Sequence, residues 1–266
     1  MPDAAAPDPL DGLVRCPRCR RAALVPAGAE HGCPDCGAAF PVQEGVLDLL
    51  PGVPSVPSIA QLAMESEPVV QIYESRLWRR SPLATLALGI SADREQETIL
   101  EAAALAGDES VLDLACGPGF YTCPLAARVS GGRVVGLDLS RPMLALASRR
   151  SRREGLANVG FVRGTALELP FVESRFDVVN CCGALHLFPD TVRALAEIRR
   201  VLRPDGRFTV ATVRRVEGPV AFVLERLGVR SFPAERFESL LAAAGFGAVR
   251  VHHARAGWMV VSARAA

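Results

Sequence analysis

The stretch Val111-Leu-Asp-Leu-Ala-Cys-Gly-Pro-Gly119, running on into Phe120-Tyr-Thr122, decides how this chain is read. Apolar, β-prone residues lead into a tight glycine turn, and a helical pattern follows. An α/β protein uses that arrangement to bring backbone N–H groups close to a nucleotide-like ligand at the C-terminal edge of a sheet. Gly117 and Gly119 remove Cβ where a ligand must approach, and Pro118 stiffens the turn between them.

Outward from the turn, strands and helices alternate from about residue 108 onward. Strands are expected at Val111–Leu114, Arg133–Leu139, Val159–Arg163, Phe176–Cys181 and Arg207–Val213. Helices are expected at Phe120–Val129, Pro142–Glu154 and Thr191–Leu202, the last stopped by Arg203-Pro-Asp-Gly206. A helix at Ala234–Ala244 and strands near Ala248–His252 and Trp258–Ala263 complete the pattern. Such alternation predicts a parallel sheet covered on both faces. The second strand ends in Asp138, whose carboxylate can accept hydrogen bonds from both hydroxyls of a ribose. A nicotinamide cofactor and S-adenosylmethionine both fit that placement. The turn favours the second, because it lacks the third glycine that sets a pyrophosphate on the helix N-terminus.

At this point the sequence resembles the class I S-adenosylmethionine-dependent methyltransferases. Asp113-Leu-Ala-Cys-Gly-Pro-Gly119 is similar to their first motif, and Gly136-Leu-Asp-Leu-Ser140 with Pro142-Met-Leu144 to their second. Gly164-Thr-Ala-Leu-Glu-Leu-Pro-Phe171 resembles the loop that passes the adenine. Phe176-Asp-Val-Val-Asn180 through His186-Leu-Phe-Pro-Asp190 resembles the fourth strand and its loop. Glu197 to Arg207 is similar to the segment that enters the fifth strand. The resemblance covers roughly residues 108–215 and implies a Rossmann-like, doubly wound, mostly parallel sheet of seven strands.

It also implies a cofactor site. Gly117 and Gly119 would pass under the methionine portion, Asp138 would hold the ribose and Met143 would pack on the adenine. Asp113, Ala115, Leu139, Thr165, Ala166 and Cys181 are the other residues expected at the cofactor. Thr165 departs from the family, which usually has aspartate there; its hydroxyl can accept a bond from the adenine amino group, without charge. The candidate base is His186, just after the fourth strand, with a merely pocket-shaping histidine as the alternative. Cys116, Cys181 and Cys182 read as buried thiols. Asn180 does not begin an Asn-Pro-Pro-Tyr element, which disfavours methylation of a nucleobase or glutamine amino group.

Before the core, Cys16-Pro-Arg-Cys19 and Cys33-Pro-Asp-Cys36 form two C-x-x-C knuckles. Each knuckle places two thiolates on one side of a tight turn, and two of them close a tetrahedron around Zn²⁺. With four protein ligands, Cys16, Cys19, Cys33 and Cys36, such zinc is structural. The tail Phe40 to Leu50 resembles the end of zinc-ribbon modules found on some bacterial methyltransferases. Three regions are therefore expected: a ribbon and linker over 1–56, a helical lid or docking segment over 57–107, and the methyltransferase domain over 108–266. The helical segment carries Tyr73, Arg76, Trp78 and Arg79, and Tyr73 is a candidate for the methionine carboxylate. Ser91 is the expected cap of its last helix.

Composition narrows the partners. The net charge is +1, which gives no global footprint for nucleic acid. All 30 basic residues are arginine, which excludes Schiff-base and P-loop lysine chemistry. The first 56 residues carry seven carboxylates against four arginines, a poor surface for tracking phosphates. The arginine run at 149–153 reads as a helix end, where cations complement the dipole. No long apolar run suggests a membrane span, and the N-terminus shows no secretory pattern, so a cytoplasmic protein is expected. The expected activity is methyl transfer to a small molecule at oxygen or carbon. A ribosomal RNA guanine methyltransferase with a ribbon as RNA reader, and a cofactor-binding protein that cyclises or transfers nothing, remain as alternatives.

Overall fold

The computed structural model describes residues 8–50, 81–215, 226 and 228–266. Tyr73, Arg76, Trp78 and Arg79, and the linker from residue 51, lie outside the described residues. Four short strands come first: β1 (Val25–Ala27), β2 (Glu30–Gly32), β3 (Ala39–Gln43) and β4 (Val46–Asp48). Two helices follow, α1 (Pro82–Leu88) and α2 (Ala92–Ala103). Ser91 does cap α2, its Oγ accepting the Arg94 N–H at 3.3 Å.

The alternating part then runs β5 (Ser110–Leu114), α3 (Thr122–Arg128), β6 (Arg133–Asp138), α4 (Arg141–Arg153), β7 (Val159–Arg163) and β8 (Phe176–Cys182). It continues through a short 3-10 turn (Leu185–Leu187), α5 (Thr191–Val201), β9 (Leu202–Val213), α6 (Ala234–Ala243), β10 (Phe246–Arg255) and β11 (Trp258–Ala265). β5 is buried at every position, as a strand covered by helices on both faces must be. Two of the strand-to-helix junctions are set by capping side chains. Ser140 caps α4 through the Met143 N–H at 3.4 Å, and Asp190 caps α5 through the Arg193 N–H at 2.9 Å. The expected turn at 203–206 is absorbed into β9 as an irregularity, with Asp205 at φ 59°.

The sheet has eleven strands, not the seven expected, in the order β1-β2-β3-β4-β7-β6-β5-β8-β9-β11-β10. Seven of them belong to residues 110–265, with β9 to β11 and β11 to β10 antiparallel. The other four come from the cysteine-bearing segment. β4 pairs in parallel with β7, Val46 beside Phe161, Leu47 beside Val162 and Asp48 beside Arg163. The physical reason is an edge. β7 would otherwise present unpaired backbone groups, and the apolar Val46-Leu47 segment satisfies and covers them. The core is shared as well, because Leu13, Val14, Leu24 and Leu47 belong to the same buried cluster as Phe171, Phe176 and Val179. Phe171 and Phe176 meet edge to face at 5.1 Å within it.

Candidate active site at the C-terminal edge of the sheet

The glycine turn sits where β5 ends and α3 begins. Three consecutive odd positions take left-handed backbone: Ala115 at φ 54°, Gly117 at 52° and Gly119 at 81°. The two glycines do different work. Among the described residues, a Cβ on Gly117 would meet nothing within 4 Å, whereas one on Gly119 would press on Ala147 of α4 at 3.2 Å. Gly117 therefore leaves space above the turn, and Gly119 lets α4 pack beneath it. Ala115 holds its conformation without a glycine, a strained state that elsewhere costs about 1–2 kcal/mol.

Asp138 closes the turn onto β6. Its carboxylate accepts the Gly117 N–H and the Ser140 N–H, both at 2.8 Å. A carboxylate offers about four lone-pair sites, so these two bonds alone do not saturate it. Leu139 follows, half-buried, and Met143 is buried on the first turn of α4. Thr165 lies just past β7, and its Oγ1 accepts the Leu167 N–H at 3.2 Å, shaping its own turn. Ala166, next to it, packs on the core.

Asp113 lies in the core. Its carboxylate accepts the Thr122 hydroxyl at 2.6 Å and the Asn180 amide at 2.7 Å. Asn180 Oδ1 in turn accepts from the Thr209 hydroxyl at 2.8 Å and the Cys182 thiol at 3.0 Å. This buried network ties β5, α3, β8 and β9 together at the edge that carries the turn, and every bond in it stiffens that edge. Cys181 is fully buried, and burial pushes its thiol up; Cys116 and Cys182 are raised by burial as well. Thiols held protonated in this way are poor nucleophiles.

His186 occupies the 3-10 turn beyond β8. Its ring stands edge-on to Trp258 at 5.7 Å, and Nδ1 lies 3.4 Å from the Thr212 hydroxyl. Burial lowers its pKa to about 4, so the imidazole is neutral at pH 7. A neutral ring can accept a proton, though its lowered basicity makes it a weak base.

Several residues at this edge escaped the sequence reading. Arg150 donates to the Pro118 carbonyl at 3.1 Å, so one member of the arginine run braces the glycine turn. Arg152 reaches the Glu44 carbonyl of the β3–β4 hairpin at 3.1 Å. Tyr121 donates to the buried Glu95 carboxylate at 2.7 Å, joining α2 to the turn. The one signal available was position: Tyr121 and Thr122 follow Gly119 by two and three residues.

At the other end of the chain, the four knuckle thiols converge. Cys16, Cys19, Cys33 and Cys36 place their sulfur atoms within 4.8 Å of one another. The Cys16–Cys36 and Cys19–Cys33 separations are 3.7 and 3.6 Å. A tetrahedral ion with bonds of about 2.3 Å needs sulfurs about 3.8 Å apart, so the donor set and spacing fit a metal.

Residues 111–206 match the family model described as "Methyltransferase domain". This segment carries the pattern of that family. Over 118 residues the chain is 40% identical to a demethylmenaquinone methyltransferase of Lactiplantibacillus plantarum, covering 44% of this chain and 50% of the relative. The chain thus spans about half the length of that curated relative. Among solved structures, YcgJ of Bacillus subtilis aligns at TM-score 0.58 and 22% identity, over 65% of this chain and 98% of its own. The cyclase SpnF aligns at TM-score 0.60 and 22% identity, over 80% of this chain and 98% of its own. At such identities these structures speak for the fold alone. In the methyltransferase domain, that fold carries the turn, Asp138 and His186 on the same sheet edge. No helix among the described residues is long and apolar enough to cross a membrane.

Proposed function

We propose that this chain is an S-adenosylmethionine-dependent methyltransferase that acts on a small organic molecule at oxygen or carbon. The observation that carries the reading is the joint between Asp138 and the glycine turn. A carboxylate fixed by two backbone N–H groups stands beside a glycine with open space over it. That pairing suits a nucleoside whose ribose meets the carboxylate while its 5′ substituent crosses the turn. S-adenosylmethionine supplies an electrophilic methyl group when bound. The chain's own contribution is then to hold the adenosine at Asp138, Met143 and Thr165, with Ala115, Leu139 and Ala166 beside them, and to exclude water from the acceptor. His186 is the candidate to take a proton from an acceptor hydroxyl. Tyr73 remains a candidate for the methionine carboxylate.

The demethylmenaquinone specificity named for the relative supports a small, quinone-like acceptor. The ribbon argues in the same direction. Its Arg20 pairs with Glu168 and Arg21 with Asp35 at 3.7 Å, which leaves a weakened surface for phosphate. The thiol cluster is proposed to hold a structural Zn²⁺. A second reading, cofactor binding with cyclisation and no transfer, is favoured by the depressed basicity of His186.

The test is incubation with methyl-labelled S-adenosylmethionine and a panel of phenolic and quinol acceptors. Label in an organic-soluble product supports the proposal. Cofactor binding without any transfer across the panel favours the second reading.

A further inference from the structure

The ribbon does more than cover an edge, because one of its side chains reaches the loop assigned to the cofactor. β4, β7 and β6 lie side by side, and the register places Asp48, Arg163 and Asp138 on one rung. Asp48 and Arg163 are both buried, at 2% and 7% exposure. Arg163 Nη1 lies 3.3 Å from Asp48 Oδ1 and donates to the Leu50 carbonyl at 2.9 Å. The same guanidinium sends Nε to the Leu139 carbonyl at 3.1 Å. Arg141, the first residue of α4, closes the other side by pairing with Asp48 Oδ2. Asp48 is thus clamped to both ends of the Leu139–Ser140 turn that immediately follows the ribose-binding candidate.

The backbone repeats the connection. The Leu49 N–H donates to the Arg163 carbonyl at 3.2 Å, and the Gly164 N–H to the Asp138 carbonyl at 3.0 Å. Burial pushes the Asp48 carboxyl up, but Arg141, the Leu50 N–H and Arg163 outweigh that and hold it below its ordinary value. Arg163 depends on this partner. A buried guanidinium that loses its carboxylate is left uncompensated and must move toward water. Its Nε would carry the Leu139 carbonyl with it.

We propose that Asp48, a ribbon residue, is a positioning residue for the adenosine end of the cofactor, acting through Arg163 and Arg141 on the Leu139–Ser140 turn. The proposal rests on the cofactor reading given above. It makes the ribbon part of the binding site's construction, independently of the acceptor.

The experiment uses the full-length chain and isothermal titration with two probes, S-adenosylhomocysteine and 5′-methylthioadenosine, the second lacking the amino-acid end. Asp48→Asn is expected to weaken both by the same factor, about tenfold, the size typical of residues that act through a network. Asp48→Glu keeps the charge and is expected to recover most of the loss. Arg141 is half-exposed, so Arg141→Gln is expected to fold, and to weaken both probes about threefold. It decides the matter if Asp48→Asn does not fold. Unchanged dissociation constants in folded Asp48→Asn or Arg141→Gln, even with lowered thermal stability, would overturn the proposal while leaving the cofactor reading intact. If the unaltered chain binds neither probe, the cofactor reading fails and the proposal falls with it.

Discussion

Asp138 and Ala115 bear the local argument in different ways. Asp138 accepts one backbone N–H on each carboxylate oxygen, which fixes the group beside the glycine turn. Asp138→Ala should therefore weaken S-adenosylhomocysteine binding by roughly 1–3 kcal/mol, since buried hydroxyls lose a charged acceptor. Titration calorimetry checks this, and an unchanged affinity would remove Asp138 from the site. Ala115 stores backbone strain at φ 54°. Ala115→Gly relieves it while loosening the unfolded chain, so a net gain of up to about 1 kcal/mol is expected in chemical denaturation. A clear loss of stability would mean that its methyl group is needed for packing. His186 gives a pH signature. Its pKa is near 4 in the fold against 6.5 when unfolded, so the unfolded chain takes up the proton first. The associated stability is present above pH 6.5 and is lost as pH falls toward 4. His186→Gln should flatten this part of the profile in denaturation curves measured at pH 7, 6 and 5; an unaltered profile would mean that the ring is not buried as described.

Among the elements, the strands and helices around the glycine turn were legible because each carries its own punctuation. Val159–Arg163 is found as expected, and Ser91, Ser140 and Asp190 mark helix starts with polar oxygens that the caps require. The attachment of β4 to β7 was not legible. Val46-Leu47-Asp48 is too short to declare a partner, and its neighbour lies more than a hundred residues away in sequence. The buried network through Asp113, Thr122 and Asn180 was hidden for the same reason, since a carboxylate in a motif looks alike whether it faces a ligand or the core. The β4–β7 pairing has a consequence for the metal proposed at the thiol cluster. Chelation at the thiol cluster should loosen β4 and raise amide hydrogen exchange in Val159–Arg163, a strand far from the cysteines in sequence. Exchange confined to residues 8–50 would show that the ribbon and the sheet are energetically separate.

For the whole molecule, ribbon, turn and sheet edge form one construction. The composition spoke against lysine chemistry and nucleic-acid tracking, and the order of the motifs spoke for the fold. The number of strands was missed, because a module read as independent continues the main sheet. The central claim is that the sheet edge formed by Gly117, Asp138 and Thr165 binds S-adenosylmethionine. Isothermal titration of the purified full-length chain with S-adenosylmethionine tests it most directly. One saturable site per chain, competed by S-adenosylhomocysteine and weakened in Asp138→Ala, is the expected result. The absence of binding in folded protein, or equal binding by Asp138→Ala, would contradict it.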